Sequence, residues 1–522
     1  MDTHSDYLTK ILLSRVYDVA HETPLEEAVN LSRRLGNRVL LKREDAQPVF
    51  SFKLRGAYNK MSRLSPDELR RGVIAASAGN HAQGVALSAR KLGCEAVIVM
   101  PMTTPAIKVD AVRRLGGQVV LYGESFSDAW RHTLDLIQQT GYVFIPPFDD
   151  PDVIAGQGTI GMEILRQHPD PIHAVFVPIG GGGLAAGIAA YVKNLRPEIR
   201  VIGVEPTDSD AMRVSIMAGH PVELSRVGLF ADGVAVKLVG NETFALCRDL
   251  LDDIITVDTD AICGAVKDIF EDTRVVAEPA GALALAGLRA YVAAGDIRDA
   301  TLVSVVSGAN MNFDRLGHVV DRAKIGADRE AFLAVTIPEE VGSFRKLCDI
   351  IGNRNITELC TRFADPEQAR VMVGIDIKSR QEIASVMEDL RKGGFHALDL
   401  TDNELAKIHL RHMVGGNAPH LTNERLIRFF FPERPGALMD FMDAMETPLN
   451  CTLFQYRYHG ADYGRVLFGM EVPEEKRAAF EAFLARVEKM GYPYIDESDN
   501  PAYKMFLGWH DGQHQAPPAT AP

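Results

Sequence analysis

The sequence predicts an α/β protein with a doubly wound parallel sheet, followed by two smaller α+β units of the ferredoxin-like type. Up to about residue 320, short apolar runs alternate with helical patterns. These runs are rich in valine and isoleucine without polar alternation, which is typical of strands buried on both faces of a parallel sheet. After about residue 328 the pattern changes, and one long segment is repeated once.

The predicted strands of the first part share this apolar composition. They are Val39–Lys42, Val73–Ser77, Ala96–Met100, Val119–Leu121, Val143–Pro146, Ala174–Pro178, Val201–Val204 and Leu302–Val306. Helix start signals lie between them: Ser65 and Glu68 form a capping box, and Thr104-Pro105 opens another helix that Gly116 can close. Alternating strands and helices predict a sheet whose ligands sit outside the carboxyl ends of its strands.

The second part contains an internal repeat. Its predicted strands and helices are Phe332–Ile337, Phe344–Ile351, Val371–Ile377, Leu426–Phe431, Ala437–Met445 and Val466–Val472. The matching positions are Pro338–Phe344 with Pro432–Leu438 (432 − 338 = 94), then Asn355 with Asn450, Arg362 with Arg457 and Gly374 with Gly469 (each 95 apart). Each unit has the order β-α-β-β-α-β of a ferredoxin-like module. A chance match of two common loops is the lesser explanation, because the matches stay in register.

Composition and charge exclude several classes of function. The net charge is −14, with 70 acidic against 56 basic residues, so nucleic acid and anionic membranes are not expected partners. The first ten residues carry no basic or apolar region of a secretory signal, and no apolar run is long enough for a membrane helix. The 6 cysteines form no C-x-x-C pair, which predicts a cytoplasmic protein without a zinc cluster.

The segment Ser51–Tyr58 contains a lysine at the expected start of a helix. Ser51 is a plausible N-cap, which leaves Lys53 in the first turn. The positive end of the helix dipole would lower the pKa of that lysine, as an amine needs in order to form a Schiff base with an aldehyde cofactor. On the segment alone, a solvated surface lysine is the commoner outcome.

Two further loops follow predicted strands. Ser77–Gly84 opens a helix, whose free backbone N–H groups suit a carboxylate such as that of an amino acid. A plain turn that uses Gly79 and Asn80 for positive φ is an equal alternative. The run Gly180–Leu184 suits a small dianion, since four glycines let the backbone fold closely around a phosphate. It lacks the spacing of a dinucleotide fingerprint and the lysine of a P-loop.

The string Ser51-Phe52-Lys53-Leu54-Arg55-Gly56-Ala57 resembles the cofactor-lysine motif of the fold type II pyridoxal-phosphate (PLP) enzymes, especially the serine/threonine dehydratases. The resemblance implies a tryptophan synthase β-like fold with two parallel-sheet subdomains. It implies that Lys53 is the catalytic lysine and holds the cofactor. The other residues that it implies for cofactor contact are Asn80, Gly180, Gly181, Gly182, Gly183, Leu184 and Ser307. Those implied for substrate contact are Ser77, Gly79 and Asn80.

Details of the motifs refine this expectation. Related serine racemases place a second serine where this chain has Ala78, which argues against racemase activity. Ser307, on spacing alone a capped turn, matches the serine at the pyridine nitrogen in the dehydratases. A neutral serine favours β-elimination over transamination, because it need not keep that nitrogen protonated. The loop at Asp232 resembles a cation-binding loop of some relatives, but one aspartate is not a metal site. Glu278 receives no catalytic role.

With these motifs, the resemblance extends to the biosynthetic threonine dehydratases over nearly the whole chain. It implies a PLP-dependent lyase that converts L-threonine, and also L-serine, with 2-oxobutanoate and ammonia formed from threonine as the committed step towards isoleucine. Two ACT-like units would bind effectors near Gly342 and Gly436, with isoleucine inhibiting, valine activating, and a homotetramer as the assembly. The expected domains are 1–325 (dehydratase), 326–415 and 416–511 (regulatory units) and 512–522 (disordered tail).

Two alternatives remain. A serine dehydratase or a catabolic threonine dehydratase would share the motifs, although the catabolic form lacks the long repeat region. The preference between threonine and serine depends on one methyl group, worth only about 1–3 kcal/mol in a pocket. A regulatory amino-acid-binding protein without activity is the other alternative, but the lysine, the asparagine loop and the glycine run are all intact.

Overall fold

The computed structural model describes residues 3–326, 330–338, 343–351, 356–362, 368–410, 423–432, 440–441, 444–446, 449–457 and 463–507. The chain divides into two compact units, Met1–Gly326 (the first unit) and Ala327–Pro522 (the second unit). Within the described residues, no helix combines the length and the apolar character needed to cross a membrane.

The first unit contains two sheets. Its strands are β1 Leu25–Glu27, β2 Arg38–Arg43, β3 Val73–Ala76, β4 Ala96–Met100, β5 Gln118–Leu121, β6 Val143–Phe144, β7 Ala174–Pro178, β8 Arg200–Pro206, β9 Asp253–Val257 and β10 Thr301–Val306. Six strands pair in the order β1-β2-β10-β7-β8-β9, and four in the order β5-β4-β3-β6. Every pair is parallel except β1 with β2. The two parallel-sheet subdomains are therefore confirmed, with one antiparallel strand at an edge.

Helices connect these strands. They are α1 Thr3–Leu12, α2 Val29–Leu35, α3 Lys53–Met61, α4 Pro66–Arg71, α5 Asn80–Leu92, α6 Ala106–Arg114, α7 Phe126–Thr140, α8 Pro151–Gln167, α9 Gly183–Leu195, α10 Ala211–Ala218, α11 Asn241–Leu250, α12 Thr259–Thr273, α13 Pro279–Gly295 and α14 Arg315–Gly326. The predicted capping box is confirmed at α4, where the Ser65 and Glu68 side chains each accept the other's backbone N–H. The helix predicted at Thr104-Pro105 is present as α6, which ends at Arg114, short of Gly116.

The six-stranded sheet is covered on both faces, which explains why its strands show no polar alternation. Along β7, Val175 and Val177 pack with α8 and α9 in one apolar core. The alternate residues Ala174 and Phe176 pack with α12 and α13 in another. Both faces of this strand thus exclude water, so every position, and not only every second one, needs an apolar side chain.

The second unit contains two antiparallel sheets. Its strands are β11 Glu330–Pro338, β12 Ile356–Arg362, β13 Gln368–Asp376, β14 His396–Asp399, β15 Glu424–Pro432, β16 Asn450–Arg457, β17 Tyr463–Glu471 and β18 Tyr494–Asp496. The sheet orders are β12-β13-β11-β14 and β16-β17-β15-β18. Its helices are α15 Ser343–Ile351, α16 Gln381–Lys392, α17 Glu404–Ile408, α18 Arg477–Lys489 and α19 Pro501–Phe506. The first repeat has the predicted order β-α-β-β-α-β.

The two repeats agree in backbone detail. Phe332 lies opposite Gly374 in the first sheet, and Leu426 lies opposite Gly469 in the second. The register also shifts at equivalent places, between Ile356 and Glu358 and again at 451 and 453 in the second sheet. A bulge shared at the predicted offset of 95 supports the origin of both repeats from one ancestral unit, because bulges are specific features of a sheet.

Each repeat ends in the same turn after its last strand. Thr401 Oγ1 accepts the Phe332 N–H at 3.0 Å, and Ser498 Oγ accepts the Leu426 N–H at 3.1 Å. The next helix is capped in both cases by an asparagine, Asn403 or Asn500. The two asparagines touch, since Asn403 Nδ2 donates to Asn500 Oδ1 at 3.2 Å. The repeats therefore meet through equivalent elements.

Some sequence predictions fall outside the described residues. These are Gly342, Gly436, Asn355 and the tail 512–522, and the predicted helix Ala437–Met445 is described only in part.

Candidate active site

The predicted cofactor lysine is the first residue of helix α3. Ser51 was predicted as the N-cap, and this is wrong: Phe52 occupies that position, and Ser51 Oγ lies 3.4 Å from the Lys53 N–H. The reason is that the Ser51 backbone forms a β-bridge with Gly308 after strand β10. The Phe52 N–H also donates to the Ser307 carbonyl, at 3.2 Å. The lysine segment is thus attached to the carboxyl end of a central strand.

The Lys53 amine lies in a poorly solvated place. Its Nζ donates to the Pro147 carbonyl at 2.9 Å. Burial lowers the pKa of Lys53 to about 8, and the nearby Glu278 partly opposes this shift. The predicted direction is confirmed, but its main cause is loss of hydration rather than the helix dipole. The unprotonated fraction of this amine near neutral pH is therefore much larger than that of an ordinary lysine.

A buried group of four charges holds the same helix. Arg55 donates to Glu44 Oε2 at 2.8 Å and to Glu163 Oε1 at 2.6 Å. Lys42 Nζ donates to Glu163 Oε2, also at 2.6 Å. All four side chains have no exposed surface, and their charges sum to zero. Because Arg55 follows Lys53 by two residues, this charge quartet (Lys42, Glu44, Arg55 and Glu163) anchors the first turn of α3.

The asparagine loop connects β3 to α5. Helix α5 begins at Asn80, and the Gly79 N–H lies 3.3 Å from Ser77 Oγ. Gly79 has a φ of −135°, and Asn80 is not among the residues with positive φ, so the alternative of a turn that needs positive φ is wrong. A Cβ built on Gly79 would meet no atom within 4 Å. The free N–H groups at this helix start therefore border open space, as binding of a carboxylate requires.

His81, in the same loop, was not singled out by sequence reasoning. Burial lowers its pKa to about 3, with a further contribution from the charge of Lys53. Its Nε2 lies 2.8 Å from the Ile145 carbonyl, so the neutral ring donates its proton there. His81 is therefore a neutral neighbour of Lys53 rather than a competing base.

The glycine run forms a tightly packed loop between β7 and α9. A Cβ on Gly181 would overlap the ring of Phe148, and Gly182 has a φ of +96°. Gly180 lies against the backbone of Val234, where a Cβ would come within 2.8 Å of Cα. Glycine is thus required by close packing and by conformation. The loop leads into the N-terminus of α9, whose first N–H groups lack partners within the helix.

Three further predicted residues lie near these loops. Leu184 is buried in the first turn of α9. Ser307 directly follows β10, and its Oγ donates to the Ala280 carbonyl at 3.2 Å. Asp232, in the predicted cation loop, instead pairs with Lys108 at 2.7 Å and with Arg315 at 3.2 Å. Its carboxylate is therefore neutralised by cationic side chains.

The Asn80 side chain contacts two residues that received no role from the sequence. Its Nδ2 donates to Glu278 Oε1 at 2.6 Å. Asn310 Nδ2 donates to Asn80 Oδ1 at 2.7 Å. Burial raises the pKa of Glu278 to about 7, and the negative charge of Asp232 adds to this effect. The sequence signal that could have found Glu278 is the string Ala277-Glu278-Pro279-Ala280-Gly281-Ala282, which resembles the family's pattern near the active site.

These residues fit pyridoxal phosphate. An amine of lowered pKa suits the aldehyde, and the glycine loop at a helix N-terminus suits the phosphate. Glycine at 181 and 182 leaves the loop no room for side chains, as a backbone cradle for a small anion requires.

Comparison with known proteins gives matches over nearly the whole chain. Residues 16–308 match the family model of pyridoxal-phosphate dependent enzymes, and residues 321–410 and 415–507 match that of the C-terminal regulatory domain of threonine dehydratase. A Burkholderia multivorans protein named L-threonine dehydratase biosynthetic IlvA is 60% identical over 96% of this chain and 99% of its own length. The Escherichia coli protein of that name is 52% identical over 96% of this chain and 97% of its own length.

Solved structures agree with these matches. The processed form of threonine deaminase isoform 2 from Solanum lycopersicum has a TM-score of 0.61 and 55% identity, covering 62% of this chain and 89% of that one. A maize serine racemase structure is more distant in sequence, with 33% identity and a TM-score of 0.56.

Proposed function

Because this chain belongs to the pyridoxal-phosphate-dependent biosynthetic threonine dehydratases, we propose a residue-level account of how it deaminates L-threonine. The overall reaction removes the hydroxyl and amino groups and yields 2-oxobutanoate and ammonia, by β-elimination followed by hydrolysis. The observation that carries the assignment of the reactive centre is the Lys53 amine, whose pKa burial lowers to about 8. It donates to the carbonyl of Pro147, the neighbour of the Phe148 that packs against Gly181.

Each predicted residue then has a defined task. Pyridoxal phosphate, when bound, supplies an electron sink that makes the proton on the substrate α-carbon removable. The glycine run with Leu184 would bind the phosphate through backbone N–H groups, and Ser307, which follows β10, would hydrogen-bond the pyridine nitrogen. Asn80 would donate a hydrogen bond to the cofactor's phenolic oxygen. Lys53 would hold the cofactor and would act as the general base that takes the α-proton.

The start of helix α5 is the proposed site of the substrate carboxylate. Ser77, Gly79 and Asn80 supply the groups that face it. The support for this is that a side chain at Gly79 would meet open space, while the N–H groups of the first turn have no helical partners. L-serine presents the same carboxylate, amine and hydroxyl groups, so it is the proposed second substrate.

The second unit is the proposed regulatory part of the enzyme. Its two repeats would bind isoleucine as inhibitor and valine as activator, in sites near Gly342 and Gly436. Inhibition and activation require that each effector prefers one of at least two states of the enzyme. We also propose a homotetramer in the cytoplasm. The support for the proposed division into 1–325, 326–415, 416–511 and a tail is the compact unit ending at Gly326, together with the matched segments 321–410 and 415–507.

The test of the reaction is release of 2-oxobutanoate from L-threonine by the purified, PLP-loaded protein. Lys53→Ala should abolish both turnover and the visible absorbance of lysine-bound cofactor. The exposed Lys91→Ala is the matched control and should retain both. Turnover by the Lys53 variant would refute the catalytic role of Lys53. Turnover with serine but not with threonine would change the assigned substrate from threonine to serine. Isoleucine should suppress turnover, and valine should restore it; a lack of response to both would refute the effector assignment alone.

A further inference from the structure

The side-chain amide of Asn80 is held at both of its ends. Its nitrogen donates to Glu278 Oε1 at 2.6 Å, and its oxygen accepts from Asn310 Nδ2 at 2.7 Å. These partners lie 198 and 230 positions away in the sequence. Asn80 Nδ2 carries two hydrogens, and only one is used by a described residue. The other remains available to a ligand.

The orientation of this amide follows from a chain of hydrogen bonds. Asn310 Nδ2 also lies 2.7 Å from the Val49 carbonyl, which can only accept. The Asn310 atom in that position must therefore be the nitrogen. The Asn80 atom that receives its second N–H must then be the oxygen, which directs the Asn80 nitrogen to Glu278. The Val49 backbone thus determines which way the Asn80 amide points.

Glu278 is well placed to be a fixed acceptor. It is 4% exposed and immediately precedes helix α13. A Cβ built on Gly308 would come within 2.5 Å of Glu278 Oε1, so the carboxyl group is enclosed next to the β-bridge that holds the lysine segment. Its Oε1 can accept the Asn80 N–H in either protonation state, and the bond is strengthened when the carboxylate is charged.

The three residues come from both sheets of the first unit. Asn80 follows β3 of the four-stranded sheet, whereas Asn310 follows β10 of the six-stranded sheet and Glu278 precedes α13, which packs on the same sheet. The contact therefore joins the two parallel-sheet subdomains beside the candidate cofactor site. A shift of one subdomain against the other would change the direction of the Asn80 amide.

We propose that Glu278 and Asn310 are positioning residues for the cofactor: they fix the Asn80 amide so that its remaining N–H is directed at the cofactor's phenolic oxygen. This inference rests on the proposed function, since it takes Asn80 as a cofactor contact. Neither residue needs to touch the substrate. Their effect is exerted through Asn80, and so it should appear in cofactor binding and in the cofactor spectrum.

The test compares variants that differ in one hydrogen-bond property. Asn310→Asp removes the donor that orients Asn80, and Glu278→Ala removes the acceptor. Glu278→Gln keeps an acceptor oxygen in place and should rescue the site. The matched control is Asn37→Asp, because Asn37 is a buried asparagine of the same unit whose Nδ2 also donates two hydrogen bonds, in its case to the backbone carbonyls of Leu35 and Ile297.

Three readouts are recorded for each variant: the Kd for PLP, the visible absorbance maximum of the bound cofactor, and the melting temperature of the cofactor-free protein. Asn310→Asp and Glu278→Ala should raise the Kd about five- to tenfold, as expected for one lost hydrogen bond, and shift the absorbance maximum. Glu278→Gln should stay close to wild type in both. Asn37→Asp should lower the melting temperature and leave the cofactor spectrum unchanged.

Two results would overturn the inference. One is a wild-type Kd and spectrum in Asn310→Asp. The other is an equal spectral change in Asn37→Asp, which would show a general effect of lost stability. If Glu278→Ala does not fold, Asn310→Asp and Glu278→Gln still decide the question. Failure of the wild-type protein to bind PLP or to release 2-oxobutanoate would instead refute the proposed function, so the two failures can be told apart.

Discussion

Replacement of Glu163 by glutamine should destabilise the first unit strongly, because Glu163 pairs with both cations of the charge quartet. It accepts hydrogen bonds from Arg55 and Lys42, and its carboxylate also accepts from the hydroxyl of Tyr17 at 2.8 Å. Burial alone would raise the pKa of Glu163, but Arg55 and Lys42 outweigh it and hold that pKa below its ordinary value. The carboxylate is therefore charged at neutral pH.

The magnitude follows from the charges of the quartet. The native group holds two cations and two anions without exposed surface. Glu163→Gln leaves two buried cations with one anion, and breaking a buried pair in this way costs about 3–5 kcal/mol. At about 2 °C per kcal/mol for a unit of this size, the melting temperature should fall by about 6–10 °C.

A single tryptophan can report on this unit. The chain has 2 tryptophans, Trp130 in helix α7 and Trp509 in the second unit. In a Trp509→Phe background, fluorescence of Trp130 follows unfolding of the first unit alone. The control is Glu198→Gln, which removes the carboxylate of an exposed ion pair with Arg196 and should leave the melting temperature unchanged.

A double variant distinguishes charge imbalance from lost packing. Lys42→Met added to Glu163→Gln leaves Arg55 and Glu44 as one balanced pair, so part of the lost stability should return. The reasoning is refuted if Glu163→Gln melts within about 2 °C of its parent, a loss of about 1 kcal/mol at this size. It is also refuted if the stability lost by the double variant equals the sum of the losses in Glu163→Gln alone and in Lys42→Met alone.

Two other predictions concern the cofactor site directly. The rate at which PLP reconstitutes the cofactor-free protein should rise with pH and level off above a midpoint of about 8. The reason is that only the unprotonated Lys53 amine reacts, and burial lowers its pKa to that value. A rate that still rises steeply near pH 10 would indicate a lysine of ordinary pKa and would contradict this prediction. Gly181→Ala should weaken PLP binding at least about tenfold, since the new methyl group would overlap Phe148. The control Gly317→Ala, on a helix where a Cβ meets nothing within 4 Å, should leave PLP binding unchanged. Equal affinities of the two variants for PLP in equilibrium titrations would contradict the packing argument.

Local apolar pattern was sufficient for the buried strands. The strands predicted at Ala96–Met100 and Ala174–Pro178 have the observed bounds, because burial on both faces leaves a continuous apolar run. Strand β1, Leu25–Glu27, was missed because it is a short antiparallel edge strand with two glutamates. Strand β9, Asp253–Val257, was missed for a related reason, since it lies at the other edge and most of its residues are only half-buried.

The candidate site was predictable where one short segment carries the whole signal. The lysine segment and the glycine run are of this kind, since the residues that mark each of them are contiguous in the sequence. Glu278 and Asn310 are different, because their contact with Asn80 exists only after two subdomains come together. The low pKa of His81 likewise depends on burial by distant chain segments, which no local pattern reveals.

The contact between Asn403 and Asn500 has a consequence for how regulation could diversify. Two units that meet through the same elements have the geometry of a symmetric homodimer, in which one substitution always appears twice. Here both halves are encoded in one chain, so a substitution alters one half and leaves its counterpart intact. The ancestral interface can therefore be retained while the two halves acquire different ligand preferences, an option that is closed to a pair of identical subunits.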